Sequence, residues 1–376
     1  MATDSQKRKG PLPLEFVARG ALTLSPMGAR RAVLAFAAIA GLIVALEVRA
    51  VLRSEQAVRR EGATPPQDAA GVPTRLGPGV VRADTDASTT ADAWHRAWSW
   101  SSGPTGLGRL ARAEGNAEGP ASIAVSPFGS ALVVDNVNHR LVFTGAAGET
   151  RDVPSPLALP FDATALPNGS FAVLDRLVDR AVAIVDPQGK LLAKIPLGPA
   201  AGEPGLLTGV FAGATAVCVE KEHGACSPIA TAEGAPTSET GDLPGRPASD
   251  GVSLLHAGIV AAPSARVHLT RSIAKPFRHG YSKELAFEGR VRAVVFLDAN
   301  NVGELYLGVV LDAAPERTLL LCLATETGLE LGRTAVPSSP LPDEVTRELA
   351  VVPSGGFLHL HRTVDGADLR RYPCSP

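Results

Sequence analysis

Four cysteines, eight histidines and two aspartates set 40 residues apart are where chemistry would be sought first in this 376-residue chain. Cys218, Cys226, Cys322 and Cys374 include no Cys-x-x-Cys, so neither a zinc ribbon nor a dithiol redox motif is indicated. Cys322 lies in a predicted strand and Cys374 near the end of the sequence; a disulfide between them would pin the C-terminus. Cys218 and Cys226 flank a predicted hairpin corner and offer a second disulfide, and buried free thiols are the alternative for all four. His359 and His361 alternate on one strand face, the beginning of a metal site, but no third ligand stands near them in sequence. His223, beside Glu220 and Glu222, has the same shortage. Asp135 and Asp175 read either as paired carboxylates or as equivalent positions of a repeat. There is no His-Glu-x-x-His, no Gly-x-Ser-x-Gly, no P-loop, and no Gly-x-Gly-x-x-Gly between a strand and a helix. Neither a catalytic residue nor a cofactor is predicted.

The elements that must hold these residues show themselves as a repeat. Residues 123–150 read IAVSPFGSALVVDNVNHRLVFTGAAGET, and residues 163–190 read ATALPNGSFAVLDRLVDRAVAIVDPQGK. At an offset of 40, Pro127 matches Pro167, Gly129 matches Gly169, Ser130 matches Ser170 and Val133 matches Val173. Asp135 then matches Asp175, Arg140 matches Arg180 and Val142 matches Val182. Each unit holds a strand, a Pro-x-Gly turn, an alternating strand, a polar corner and a further strand. Three or four antiparallel strands in about 40 residues make one blade of a β-propeller. Asn168-Gly169-Ser170 is formally a glycosylation sequon, but its place in the Pro-x-Gly turn makes it turn chemistry.

The corner Asp135-x-x-Asn138-His139-Arg140 resembles the Asp-x-x-Asn-His-Arg corner of the NHL-repeat family. The second unit keeps Asp175 and Arg180 but has Val178-Asp179 where the first has Asn138-His139. The resemblance implies an inter-blade structural role for Asp135, Arg140, Asp175 and Arg180, and it covers about a fifth of the chain. The repeat register sets Val133 opposite Val142; carried to the next unit it would leave Cys218 and Cys226 on opposite faces, against their bridge.

A turn and strand are predicted over 213–220 with another strand after the corner at Glu222-His223-Gly224, further strands over 265–270, 291–297, 304–311 and 318–323, and residues 349–361 return to the pattern with Pro353 and Gly355 in the Pro-x-Gly places. Gly129 to Gly355 spans 226 residues, five intervals of about 45, which gives an all-β, six-bladed, NHL-like propeller over 94–376. Residues 94–100 (WHRAWSW) would close the ring as an outer strand of the last blade, and 233–250 would form a long loop on one face, a passive connector or a binding loop.

Upstream, residues 32–46 (AVLAFAAIAGLIVAL) form an unbroken apolar run, and continuing to Leu52 gives 21 residues, enough to cross a bilayer as a helix. Arg30 and Arg31 precede it, so residues 1–31 are expected in the cytoplasm and the rest outside, with 32–52 as a single-pass signal anchor. A cleaved export signal, resembling a twin-arginine signal at Arg30-Arg31, and a buried soluble helix are the other readings. Residues 53–93, rich in Ala, Gly, Pro and Thr, read as a flexible linker. Ten of the 36 basic residues but only four of the 38 acidic ones fall in residues 1–60, which leaves the body at −8 and argues against a nucleic-acid partner. The expected function is a membrane-anchored, extracytoplasmic, non-catalytic binding or scaffold module for a protein, peptide or glycan of the cell envelope. The alternative is a lactonase-like hydrolase or lyase, which propellers of related shape include, with its site at the central channel.

Overall fold

The computed structural model describes residues 95–374, apart from 113, 115, 146, 214–215, 238–240, 262–263, 313–316, 338 and 340–344. The predicted anchor at 32–52 and linker at 53–93 lie outside the described residues. Among the described residues, no helix is long and apolar enough to cross a membrane.

Strands follow one another with short connections. After β1 (Arg96–Ser99), a first sheet runs β2 (Ser122–Val125), β3 (Ser130–Asp135), β4 (Arg140–Gly145) and β5 (Thr150–Pro154). The second holds β6 (Asp162–Ala165), β7 (Phe171–Asp175), β8 (Ala181–Val185) and β9 (Leu191–Pro196), and the third β10 (Leu207–Ala212), β11 (Ala216–Lys221) and β12 (Ala225–Thr231). A seven-stranded sheet then runs in order through β13 (Arg246–Pro247), β14 (Ser253–Ile259), β15 (Ser264–Ile273), β16 (Arg278–Ala299), β17 (Glu304–Leu311), β18 (Arg317–Ala324) and β19 (Glu330–Pro337). The last sheet comprises β20 (Leu349–Val351), β21 (Phe357–Arg362) and β22 (Gly366–Tyr372), and β1 completes it, with Arg96 opposite Leu369 and Ser99 opposite Gly366. The N-terminal strand thereby closes the C-terminal sheet, which removes an exposed edge. These sequential antiparallel sheets, each packed on the next and joined last to first, form a propeller arrangement.

Packing explains why the middle strands are continuous apolar runs rather than alternating ones. All five residues of β7 are buried because both faces of its sheet are covered. Phe171 and Val173 pack toward Leu132 and Leu141 of the first sheet, whereas Ala172 and Leu174 pack toward Val217 and Val219 of the third. Each fully buried aliphatic side chain of this kind contributes about 1.5–3 kcal/mol. Further cores join the last sheet to the first (Leu358, Leu360 with Val133, Val142) and the seven-stranded sheet to the last (Tyr306, Leu320 with Phe357, Tyr372). A fifth lies within the seven-stranded sheet, where Leu255, Val267 and Leu269 meet Leu305, Leu307 and Leu319. β16 makes this possible: residues 278–291 pair with β15 and 291–299 with β17, with register shifts between Val291 and Phe296.

One turn recurs between the first two strands of four of the sheets and between β16 and β17 of the seven-stranded one. Gly129 donates its N–H to Ser126 O (3.0 Å), and Gly169, Gly251, Gly303 and Gly355 do the same to Leu166, Ala248, Asn300 and Val352. All five glycines have positive φ, between 71° and 106°, a conformation that costs other residues roughly 1–2 kcal/mol. Asn168 supports its turn by accepting the Ser170 N–H at 3.0 Å, consistent with a turn role. The five turns, with Ala212 and Gly213, ring a cavity of about 160 Å³. Among the described residues of 233–250 only Arg246–Pro247 form a strand, β13, and Leu243 N–H bonds Cys226 O at 2.8 Å and covers part of the outer edge of β12.

Candidate functional site

The two matched aspartates do similar work, and the two matched arginines do not. Asp135 is fully buried; it accepts the Gly108 N–H (3.0 Å) from the segment leading in from β1 and holds Arg140 Nε at 2.9 Å. Arg140 also donates to Asp152 Oδ2 and to the carbonyls of Gly103 and Gly106, so this corner ties the closing strand's connection to the first sheet. Asp175, equally buried, accepts the N–H groups of Leu159, Leu177, Val178 and Asp179. Arg180 is exposed and donates to Gly202 O at 3.5 Å instead of pairing with Asp175. The reason is corner length. In the first sheet Asp135 pairs in register with Arg140 across four residues, but Asp175 pairs with Ala181 across five. Arg180 consequently falls in the turn at φ 48°, where the first corner has His139 at φ 51°.

Corner length also removes the register objection to the Cys218–Cys226 bridge, which the structure contains. The third corner is three residues, with Lys221 opposite Ala225, so Glu220 faces Cys226 and Cys218 faces Pro228. Removing one residue from the corner flips parity and places both cysteines on one face. They form a disulfide with Cα atoms 5.6 Å apart. Cys322 of β18 and Cys374 form the second, at 5.7 Å, and fasten the segment after β22 to the seven-stranded sheet.

His359 and His361 share one face of β21 with ring centroids 5.6 Å apart, but their surroundings differ. His359 is 1% exposed with neither ring nitrogen hydrogen-bonded, and burial together with the charges of His361 and Arg362 pushes it down to about 3. It is a neutral, buried ring beside Tyr372. His361 Nδ1 lies 3.5 Å from Asp368. Among the described residues, three ligand atoms converge within 4.8 Å at Glu304, Cys322 and Cys374, where both sulfurs are already bonded to each other.

The polar centre of the molecule is elsewhere, where the innermost strands begin. Asp162, fully buried at the start of β6, accepts from Ser122 Oγ of β2 (2.6 Å), Val210 N–H of β10 (2.9 Å) and Arg347 Nη2 (2.7 Å). Arg347, just before β20, lies with its guanidinium 4.4 Å from the centre of the Phe211 ring, and Arg246 of β13 lies at the same distance. Arg246 in turn donates to Glu220 Oε1 (2.9 Å), and Thr208 Oγ1 donates to Oε2 (2.9 Å). Burial pushes Glu220 up, but the His223 bond, the Arg246 charge and the Thr208 bond outweigh it and hold the carboxyl at about 2. Thr208, Phe211, Glu220, Arg246 and Arg347 wall an open cavity of about 530 Å³, completed by Asp298 of β16, Glu348 and Arg362. Burial raises both Asp298, despite bonds from Ser249, and Glu348, despite Arg362 at 3.2 Å. Nothing in the sequence singled out Phe211, Arg246 or Arg347, because they come from separate sheets; the nearest signal was the Gly209 to Phe211 stretch falling where the repeat has its first strand.

These features define the class: an all-β, propeller-type domain stapled by two disulfides, with a charged cavity where its innermost strands start. No family model matches the chain, and no curated protein matches it by sequence. Among solved structures it is similar to Kuenenia stuttgartiensis hydrazine synthase, with a TM-score of 0.44 and 14% identity over 65% of this chain and 74% of that one. It is similar to a streptogramin B lyase at 0.41 and 12%, over 75% and 99% of the two chains. Agrobacterium tumefaciens regucalcin, a calcium-binding protein, gives 0.40 and 14%, over 75% and 95%.

Proposed function

We propose that the domain is a six-bladed, NHL-like propeller that binds a protein, peptide or glycan of the cell envelope, held outside the cytoplasmic membrane by residues 32–52 and spaced from it by 53–93. The blade count is supported by six interfaces. Five are the apolar cores; the sixth joins the third sheet to the seven-stranded one through the Glu220–Arg246 pair, with the two halves of β16 serving two blades. Two disulfides suit an oxidising compartment. The observation that carries a binding role is the 530 Å³ cavity, whose arginines Arg246 and Arg347 are oriented by buried carboxylates and the Phe211 ring. Such preorganised planar cations with an aromatic neighbour suit recognition of polar groups. Glu220, ionised throughout the neutral range, makes a poor proton donor.

Asp298 and Glu348 favour the second reading, a propeller hydrolase or lyase, because raised carboxyls in one cavity are groups able to donate protons. Proximity labelling from the full chain in its native envelope separates the readings. Binding predicts reproducible envelope partners that disappear with Phe211→Ala. A labelled set identical to that of an unrelated anchored protein would sink it, and turnover of a lactone or cyclic ester lost in Glu348→Gln would establish the enzyme.

A further inference from the structure

The charged cavity has a bare strand edge for one wall. Residues 292–298 of β16 all line it. β15 pairs with β16 no further than Val291, and β17 takes one edge of the stretch beyond. The other edge of residues 293–297 therefore pairs with no described strand. In an antiparallel ladder alternate residues turn their N–H and C=O away from the partner, so this edge offers backbone donors and acceptors to whatever enters the cavity. An extended peptide can pair with such an edge, its main chain supplying the hydrogen bonds.

Arg246 and Arg347 stand beside this edge. Arg246 borders a smaller pocket together with Val294 and Leu297, and the charge of Arg347 acts on Asp298. Arg246 donates Nε and Nη2 to Glu220, and Arg347 donates Nη2 to Asp162 and to Val210 O. Among the described residues, Arg246 Nη1 and Arg347 Nε and Nη1 have no acceptor. The buried carboxylates thus fix one edge of each guanidinium and leave the other edge for a ligand. Each guanidinium carbon lies 4.4 Å from the centre of the Phe211 ring, so the two are at most twice that, 8.8 Å, apart. A carboxylate bridging two guanidinium groups through bonds of ordinary length holds their carbons within roughly 8 Å of each other. One carboxylate can therefore meet both.

The charge balance admits such an anion. Four arginines (Arg246, Arg292, Arg347 and Arg362) and three carboxylates (Glu220, Asp298 and Glu348) line the cavity, with Asp162 behind Arg347 as a fourth carboxylate. Burial raises Asp298 and Glu348, and a proton on either leaves the arginines in excess. We propose that the cavity takes the free C-terminus of an extended peptide, whose terminal carboxylate bridges Arg246 and Arg347 beside Phe211 while its last few residues pair with the bare edge of β16. This rests on the cavity being the binding site, and it narrows the ligand from a protein, peptide or glycan to a peptide end.

The test is fluorescence-polarisation titration of the full chain with a fluorescein-labelled pool of random pentapeptides, made once as free acids and once as C-terminal amides. Amidation removes the terminal charge, so the acid pool is expected to bind at least about tenfold more tightly than the amide pool. Arg246→Lys keeps a positive charge opposite Glu220 but not the planar fork; it should weaken the acid pool about tenfold and leave the amide pool unchanged. The comparison of the two pools on the wild-type chain needs no variant to fold. Equal binding of acids and amides would overturn the peptide end and leave the cavity a binding site, as would binding of trigalacturonate, a glycan carrying carboxylates, in place of the peptides. Neither pool binding, while Phe211→Ala still removes the envelope partners, would have the same meaning. Neither pool binding and labelling unaltered by Phe211→Ala would overturn both.

Discussion

Ser122 Oγ donates a 2.6 Å hydrogen bond to Asp162 Oδ1, and the two residues are separated by 40 positions, the period of the repeat. Equivalent sites of successive units thus touch each other across the innermost strands β2 and β6. Asp162 extends the contact to β10 and to Arg347 near the far end of the chain, so one buried carboxylate joins three sheets and the segment before β20.

Replacing Asp162 by Asn should therefore be costly. It leaves the Arg347 guanidinium without its 2.7 Å counter-charge, and breaking such a buried pair typically costs about 3–5 kcal/mol. Chemical denaturation of the purified protein would show it as a lowered midpoint at unchanged slope. A midpoint equal to the wild type would mean that this carboxylate does not hold the ring of strands together.

The corner lengths make an unequal prediction for two arginines that look alike in sequence. Arg140→Ala removes four hydrogen-bond partners from a buried site and should lower the melting temperature by several degrees. Arg180→Ala removes an exposed side chain with one long bond and should leave the melting temperature within a degree or so of the wild type. Equal losses would count against the five-residue corner.

The disulfides should differ in worth. Cys322–Cys374 closes 52 residues and Cys218–Cys226 closes eight. The chain-entropy estimate gives about 4 kcal/mol for the first and about 2.5 kcal/mol for the second. Cys374→Ser should thus destabilise more than Cys226→Ser by denaturant titration, and free-thiol assay of the unfolded wild-type chain should find none of the four cysteines reduced.

Acid should destabilise the fold in two windows. His359 is pushed from 6.5 to about 3, so the unfolded chain takes up a proton that the folded one refuses, and stability falls as the pH drops from 6.5 toward 3. Glu220 is lowered from 4.5 to about 2, so its contribution is complete above 4.5 and is lost as the pH falls toward 2. Between pH 6.5 and 4.5 His359 contributes a slope approaching about 1.4 kcal/mol per pH unit, to which His256, also lowered by burial, adds. His359→Leu should flatten that window and leave the lower one in place, as read from denaturation midpoints at each pH.

What the sequence determined by itself was local and periodic. The 40-residue repeat, the Pro-x-Gly turns and the strand alternation identify antiparallel units, because strand period and turn chemistry act over a few residues. The strands expected over 304–311 and 318–323 correspond to β17 and β18, and the closing strand at 96–99 takes the place assigned to residues 94–100. Parity was not legible. The corners of five and of three residues both reverse, relative to the corner of four, which side chains share a face, and one residue more or less leaves the hydrophobic pattern of the flanking strands intact. Arg180 was lost to its turn and Cys218 was joined to Cys226 for that one reason. The sequence also showed strands at 265–270 and 291–297 where the structure has β15 and the 22-residue β16, which a register shift carries from one half of its sheet to the other. The charged cavity was decided entirely by tertiary structure: Phe211, Arg246 and Arg347 sit on different elements, and only the closing of the ring brings two guanidinium groups to one aromatic ring, where buried carboxylates can neutralise and aim them.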